Sequence, residues 1–221
     1  RDAQLFRMCV PAEYGGPEAD PVTLVKAIEK VSIADGAAVW CTMIASTTSS
    51  MSLFLAPEFA RSIYSDPKTI TGGVYAPNGT AVRDGDEWVV SGRWQWGSGS
   101  QHCTWLTGGT MTPEGELHLM YFDPADVTIH DTWYSHGLKG TGSHDFSVDG
   151  ARVPVGRSVQ PLKGVRQVDC ALAAFPNFSM LASGVAAVSL GIARHALDEF
   201  VELAQGKRPL FSSRTLSQSG S

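Results

Sequence analysis

Residues 92–105 read GRWQWGSGSQHCTW, and this stretch decides how the rest of the chain is interpreted. Trp94, Trp96 and Trp105 supply flat apolar surfaces, while Gly97, Ser98, Gly99 and Ser100 let backbone and short hydroxyls come close to something bulky. Two readings fit the composition. One is a β-strand that ends in a Gly/Ser turn, and the other is the wall of a site for a planar cofactor. The sequence on either side decides between them.

Upstream the periodicity is helical. Asp20-Pro21 is an N-cap followed by proline at the first helical position, and Leu24, Val25, Ile28, Val31 and Ile33 follow at helical spacing toward an expected stop near Asp35-Gly36. A second helical stretch, 37–55, is rich in Ala, Ser and Thr, and a short third helix spans 57–64 before Asp66-Pro67 breaks it. Before them, Pro11-Ala12-Glu13-Tyr14-Gly15-Gly16 is a loop.

From residue 69 the pattern turns to strands at 70–75, 80–83, 88–91, 94–97, 104–110, 117–122, 127–132 and 145–153, with turns at 84–86, 113–116 and 149–150. A long helical region, 169–205, broken at Phe175-Pro176, closes the chain, and Ala182, Gly184, Ala186, Ala187, Gly191 and Ala193 make its faces small. The expected fold class is α+β. It comprises an N-terminal helical part (1–68), a middle antiparallel β-barrel (69–160) and the start of a C-terminal helical bundle (161–221).

At 221 residues, 43% apolar, the chain has material for a substantial core. Its net charge of -5 with scattered basic residues argues against nucleic acid or an anionic membrane surface as partner. No apolar run reaches membrane-span length, so no membrane association is expected. Cys9, Cys41, Cys103 and Cys170 lack metal-ligand spacing; reduced thiols, no metal and a cytoplasmic location are expected. Arg1 in place of an initiator Met, and the polar segment 212–221, lead us to expect a piece of a longer chain.

Helices, then a β domain, then helices is the order of the acyl-CoA dehydrogenase superfamily, which the chain resembles over nearly its whole length. The loop at 11–16 resembles that superfamily's PEEYGG-type loop, and the segment from Gly137-Leu138-Lys139-Gly140-Thr141-Gly142-Ser143 to Val153-Pro154 resembles the one that closes its β domain. Where the dehydrogenases carry a TEP..GSD-like string, this chain has Tyr75-Ala76-Pro77-Asn78-Gly79-Thr80-Ala81-Val82, without the Glu or the Ser-Asp. The nearer resemblance is to the two-component flavin-dependent monooxygenases, such as the 4-hydroxyphenylacetate hydroxylases. It is carried by Trp94-Gln95-Trp96-Gly97-Ser98-Gly99-Ser100-Gln101-His102, similar to their W.F.SG..H string with Trp96 at the phenylalanine, and by Gly140-Thr141-Gly142-Ser143-His144-Asp145.

The resemblance implies an oxygenase component that receives reduced FMN or FAD from a separate flavin reductase. With O2 as co-substrate it would hydroxylate an aromatic or polycyclic small molecule through a C4a-hydroperoxyflavin. It also implies a homotetramer assembled through the helical bundle. Ser98 corresponds in position to the dehydrogenases' flavin-contacting threonine, which would put its hydroxyl near flavin N5. Trp94, Trp96, Gly97, Ser98, Gly99, Thr141 and Ser143 are therefore the expected cofactor-binding residues, and Ser98, His102 and His144 the expected catalytic ones. Turn residues and hydrogen-bonding histidines are the plainer roles for the same positions. Arg93, Lys139 and Arg152 are candidates for a flavin phosphate, and Trp40, Met43 and Phe54 for a substrate pocket or the core. An acyl-CoA dehydrogenase or oxidase, or a flavin-free scaffold of this fold, are the competing readings. The dehydrogenases' catalytic base and a hydroxylase histidine correspond to sequence beyond Ser221.

Overall fold

The computed structural model describes residues 2–218, so the expectations attached to Arg1 and to the end of the polar segment, 219–221, lie outside the described residues. Helix α1 (Pro21–Ser32) starts where Asp20 accepts from the backbone N–H groups of Val22 and Thr23. The expected stop at Asp35 is instead the N-cap of α2 (Gly36–Ser49), its carboxylate accepting from Ala37 and Ala38. Helix α2 is buried along most of its length. That is tolerable because its hydroxyls bond back to the preceding turn, Thr42 to the carbonyl of Ala38 and Thr47 to that of Met43. Helix α3 spans Pro57–Tyr64, as its flanking prolines imply.

Seven strands follow: β1 (Thr71–Asp84), β2 (Glu87–Gly97), β3 (Trp105–Met111), β4 (Leu117–Phe122), β5 (Thr128–His130), β6 (His144–Pro154) and β7 (Ser158–Val159). Their order in the sheet is β5-β6-β2-β1-β3-β4-β7. The sheet is mixed, which corrects the antiparallel expectation in one pairing. β3 does not lie beside β2, whose other side is taken by β6, but pairs with the far side of β1, parallel to it. The chain from Gly97 to Thr104 therefore crosses the N-terminal end of β1, where Thr104 donates its N–H to the Ile70 carbonyl and accepts the N–H of Ile70. Residues 149–150 are a bulge inside β6, not a turn. The pairing moves from Val90↔Ala151 to Gly92↔Val148, and Gly150 takes φ 63°.

The sheet curls on itself around Trp94. In a flat sheet β2 and β4, three strands apart, would be separated by about 14 Å. The Trp94 ring nevertheless lies 5.2 Å from that of Phe122 on β4, and 5.2 Å from that of Phe146 on β6. Along β4 the side chains alternate, Met120 and Phe122 into this curl and Leu119 and Tyr121 toward the helices, so both faces are buried.

Short α4 (Ala171–Ala174) precedes α5 (Asn177–Gly206). α5 lies against α2 at Gly184 and against α1 at Gly191, where an added Cβ would fall 2.7 Å from Met43 and 1.7 Å from Ser32 Oγ. By length and composition alone α5 is apolar enough to cross a membrane, although Ser and Gly interrupt its apolar run. Its remaining faces expose Leu190, Leu197, Phe200 and Leu203.

Candidate functional site

The strand order brings three segments to one end of the sheet. β2 ends and β6 begins there, because the two are antiparallel with Gly97 opposite His144, so the 97–104 crossing and the 138–143 turn become neighbours. The Gly99 N–H donates to the Thr141 carbonyl at 2.8 Å, and α2 covers both segments with Trp40 and Cys41.

A row of hydroxyls runs through this junction. The Trp40 indole N–H donates to Ser98 Oγ at 2.9 Å, Ser98 and Ser143 are 2.8 Å apart, Ser143 and Thr141 are 2.7 Å apart, and Thr141 donates to the Leu138 carbonyl at 2.9 Å. Thr141 and Ser143 are buried, and Ser98 is 8% exposed. The row thus links Ser98, Thr141 and Ser143, all expected from the sequence, and adds Trp40, which the sequence had suggested only for a substrate pocket or the core. An indole N–H with one partner 58 residues away carries no sequence signal.

Trp96 stands at the rim. It is 70% exposed and takes φ 63°, a left-handed conformation that strains a bulky residue. The cause is a second bulge, as pairing shifts between Trp94↔Phe146 and Gly97↔His144. Trp94 belongs to the core instead. It is fully buried, with rings packed against it from two sides and its N–H donated to the Gly109 carbonyl at 2.8 Å, and so has no face for a ligand. Gly97 and Gly99 also serve internal packing. A Cβ on Gly97 would meet the Phe146 ring at 2.8 Å, and one on Gly99 the His102 ring at 2.9 Å.

The two candidate histidines separate. His144 is buried, and its Nδ1 accepts the backbone N–H groups of Thr132 at 3.1 Å and Trp133 at 3.3 Å, which places the ring proton of that arrangement on Nε2. It fixes the 131–138 connection, a structural task. His102 is half-buried, edge-on to Phe6, and lines a cavity of about 330 Å³ with Phe6, Ala38, Cys41, Thr42 and Ile70. Burial, with a smaller contribution from Asp35, raises the Cys41 thiol to about 11, so it is an apolar wall there and not a nucleophile. Among the described residues no cluster of metal-binding side chains occurs.

Two of the three basic candidates have internal partners. Arg93 pairs with Asp145 at 2.9 Å, and Arg152 with Asp84 at 3.0 Å and Glu87 at 3.1 Å. Met43 is in the core, and Phe54 lines a different cavity beside Phe175 and Phe178.

No family model matches the chain. It is 29% identical over 225 residues to an indole-3-acetate monooxygenase of Pseudomonas putida, covering 97% of this chain and 57% of that protein. It is 28% identical over 221 residues to the flavin-dependent monooxygenase oxygenase subunit HsaA of Rhodococcus jostii, covering 94% of this chain and 57% of that protein. Among solved structures, XiaF from Streptomyces sp., in complex with FADH2 and glycerol, superposes with a TM-score of 0.86 at 23% identity, over 97% of this chain and 57% of that one. The chain thus spans a little over half the length of these relatives. Its fold is acyl-CoA dehydrogenase-like.

Proposed function

We propose that this chain, whose homologues are oxygenase components of flavin-dependent monooxygenases, forms the flavin-facing part of such an oxygenase. Reduced FMN or FAD would come from a separate reductase, and the reaction would hydroxylate an aromatic small molecule with O2. The single observation that carries the reading is Ser98. Its hydroxyl can make three hydrogen bonds, Trp40 and Ser143 use two, and one remains on a residue 8% exposed, two positions from exposed Trp96. The remaining hydrogen-bonding position of Ser98 is one that a polar ring nitrogen can use. Reduced flavin, when bound, supplies the electrons that activate O2.

The chain's own residues then have separate tasks. Ser98 holds the ring nitrogen at Oγ. Trp96 keeps water from the ring's open side, the bulge having turned it out to the rim at the cost of a left-handed backbone. Thr141 and Ser143 hold Ser98 from behind. His102 and Thr42 are the polar members of a mostly apolar cavity of the size for a small aromatic with a polar substituent. Trp94, Gly97, Gly99 and His144 support the site from within. In the same reading the three parts 1–68, 69–160 and 161–221 are separate units of the fold. The exposed apolar face of α5 is a bundle interface of a cytoplasmic homotetramer, not a membrane span.

The test is stopped-flow mixing of the full-length protein with anaerobically reduced FMN or FAD, then with oxygenated buffer, while hydrogen peroxide is measured. Flavin reoxidation resolved from that of free reduced flavin, with peroxide release increased by Ser98→Ala, is the expected outcome. Reoxidation identical to free flavin would remove the reading.

A further inference from the structure

The hydroxyl row behind Ser98 has a direction. A carbonyl oxygen only accepts, and that of Leu138 receives Thr141 Oγ1 at 2.9 Å, the Thr141 N–H at 3.1 Å and the Trp133 indole N–H at 3.3 Å. The Thr141 hydroxyl proton is therefore used toward Leu138. The 2.7 Å Thr141–Ser143 contact then needs the Ser143 proton, and the 2.8 Å Ser143–Ser98 contact needs the Ser98 proton. At the other end Trp40 Nε1–H only donates, and it points at Ser98 Oγ from 2.9 Å. The Leu138 end is one-way and fixes the order of the whole row, while Trp40 occupies one lone pair of Ser98 in either order. Reversing it would leave the Thr141 and Leu138 oxygens 2.9 Å apart with no proton between them.

Ser98 is thus left with a lone pair and no proton to offer. We infer that the row makes Ser98 an obligate acceptor, and that Ser143 and Thr141 are positioning residues through which the site selects the reduced, N–H-bearing state of a flavin over the oxidised state. This rests on the flavin reading above. Reduced isoalloxazine carries a proton on N5, which Ser98 can accept. Oxidised isoalloxazine presents a lone pair at N5, so two acceptors would face each other unless the row flips and breaks its bond to Leu138. A site of this polarity takes up the ring as a reductase delivers it and loosens its hold once the ring is oxidised. Selection then needs no titratable group and no movement of the backbone.

The experiment measures dissociation constants of reduced and oxidised FMN and FAD, anaerobically and by flavin fluorescence, in the full-length protein and its variants. Ser143→Ala frees the Ser98 proton to turn outward, and the oxidised-to-reduced ratio of dissociation constants should fall about tenfold, the worth of one hydrogen bond. Thr141→Val removes the acceptor of the Ser143 proton and should lower the ratio in the same direction. Thr141→Ser keeps the row and should keep the wild-type ratio. Trp40→Phe removes a donor without freeing a proton, and should weaken both states by the same factor. An unchanged ratio in both Ser143→Ala and Thr141→Val overturns the inference, as does a Thr141→Ser ratio as low as that of Thr141→Val. If the wild type binds neither state, the flavin reading falls and takes the inference with it. If both states bind and Ser98→Ala changes neither affinity, the flavin reading stands and the inference alone fails.

Discussion

Trp94 is enclosed by glycines from three strands, and this gives a quantitative test of its place in the core. A Cβ on Gly79 of β1 would fall 2.5 Å from Trp94 Cζ2, one on Gly92 of β2 2.8 Å from Cη2, and one on Gly108 of β3 2.5 Å from Cε2. Trp94→Phe removes the outer ring atoms and the bond to the Gly109 carbonyl, and should destabilise the protein by roughly 2–3 kcal/mol. Gly79→Ala in the wild type overpacks the same space, at about 1–3 kcal/mol. In the double variant the added methyl can move into the volume the indole has left, away from the Thr110 methyl that also lies 2.9 Å from it. The pair should therefore cost about as little as Trp94→Phe alone, a favourable coupling of about 1–3 kcal/mol. Gly92→Ala is the control, because its Cβ would also lie 2.6 Å from the Gly79 Cα, and backbone cannot be cleared by trimming the indole. Urea unfolding of the four proteins of each cycle measures the coupling. Additive Gly79→Ala and Trp94→Phe effects would refute the claim that the three glycines exist to house this ring.

Gly191→Ala should destabilise the contact between α5 and α1 by about 1–3 kcal/mol, because backbone of α1, the Glu29 carbonyl, lies 2.5 Å from the new Cβ; an unchanged thermal midpoint would contradict the packing. Trp96→Asn relieves left-handed strain and loses little burial, so the thermal midpoint should hold or rise while reduced flavin binds more weakly; undiminished affinity would remove Trp96 from the site. His118 packs against Trp88 and is held below the usual histidine range by burial, which outweighs Glu116. The folded state thus resists protonating it, so its contribution is complete above pH 6.5 and is lost as pH falls below that value. His118→Gln should flatten the stability profile there, and an unaltered slope would rule out this source.

Local chemistry was legible in the chain. Asp20-Pro21 starts a helix, Pro57 and Pro67 bracket α3, and the hairpin of β1 and β2 turns at Gly85-Asp86, because each signal depends on neighbours a few residues away. Strand partners were not legible. Periodicity tells which side chains share a face, not which strand lies alongside, so the step of β3 to the far side of β1 could not be read from the pattern. That step makes 97–104 a crossing segment instead of a simple turn and carries Ser98 to Trp40.

The sequence by itself determined the order of helices and strands, the core-forming alternation, and the cluster of small hydroxyl residues that includes Ser98, Thr141 and Ser143. Only the tertiary structure divided the tryptophans. Trp94 and Trp96 are two residues apart and in a regular strand would share a face. The bulge between them, imposed by pairing with β6 some fifty residues later, turns Trp94 into the core and Trp96 out to the rim. The same pairing sets Ser98 beside Ser143 and so joins two distant segments into one hydroxyl row, whose direction is then set locally where Thr141 donates to the Leu138 carbonyl.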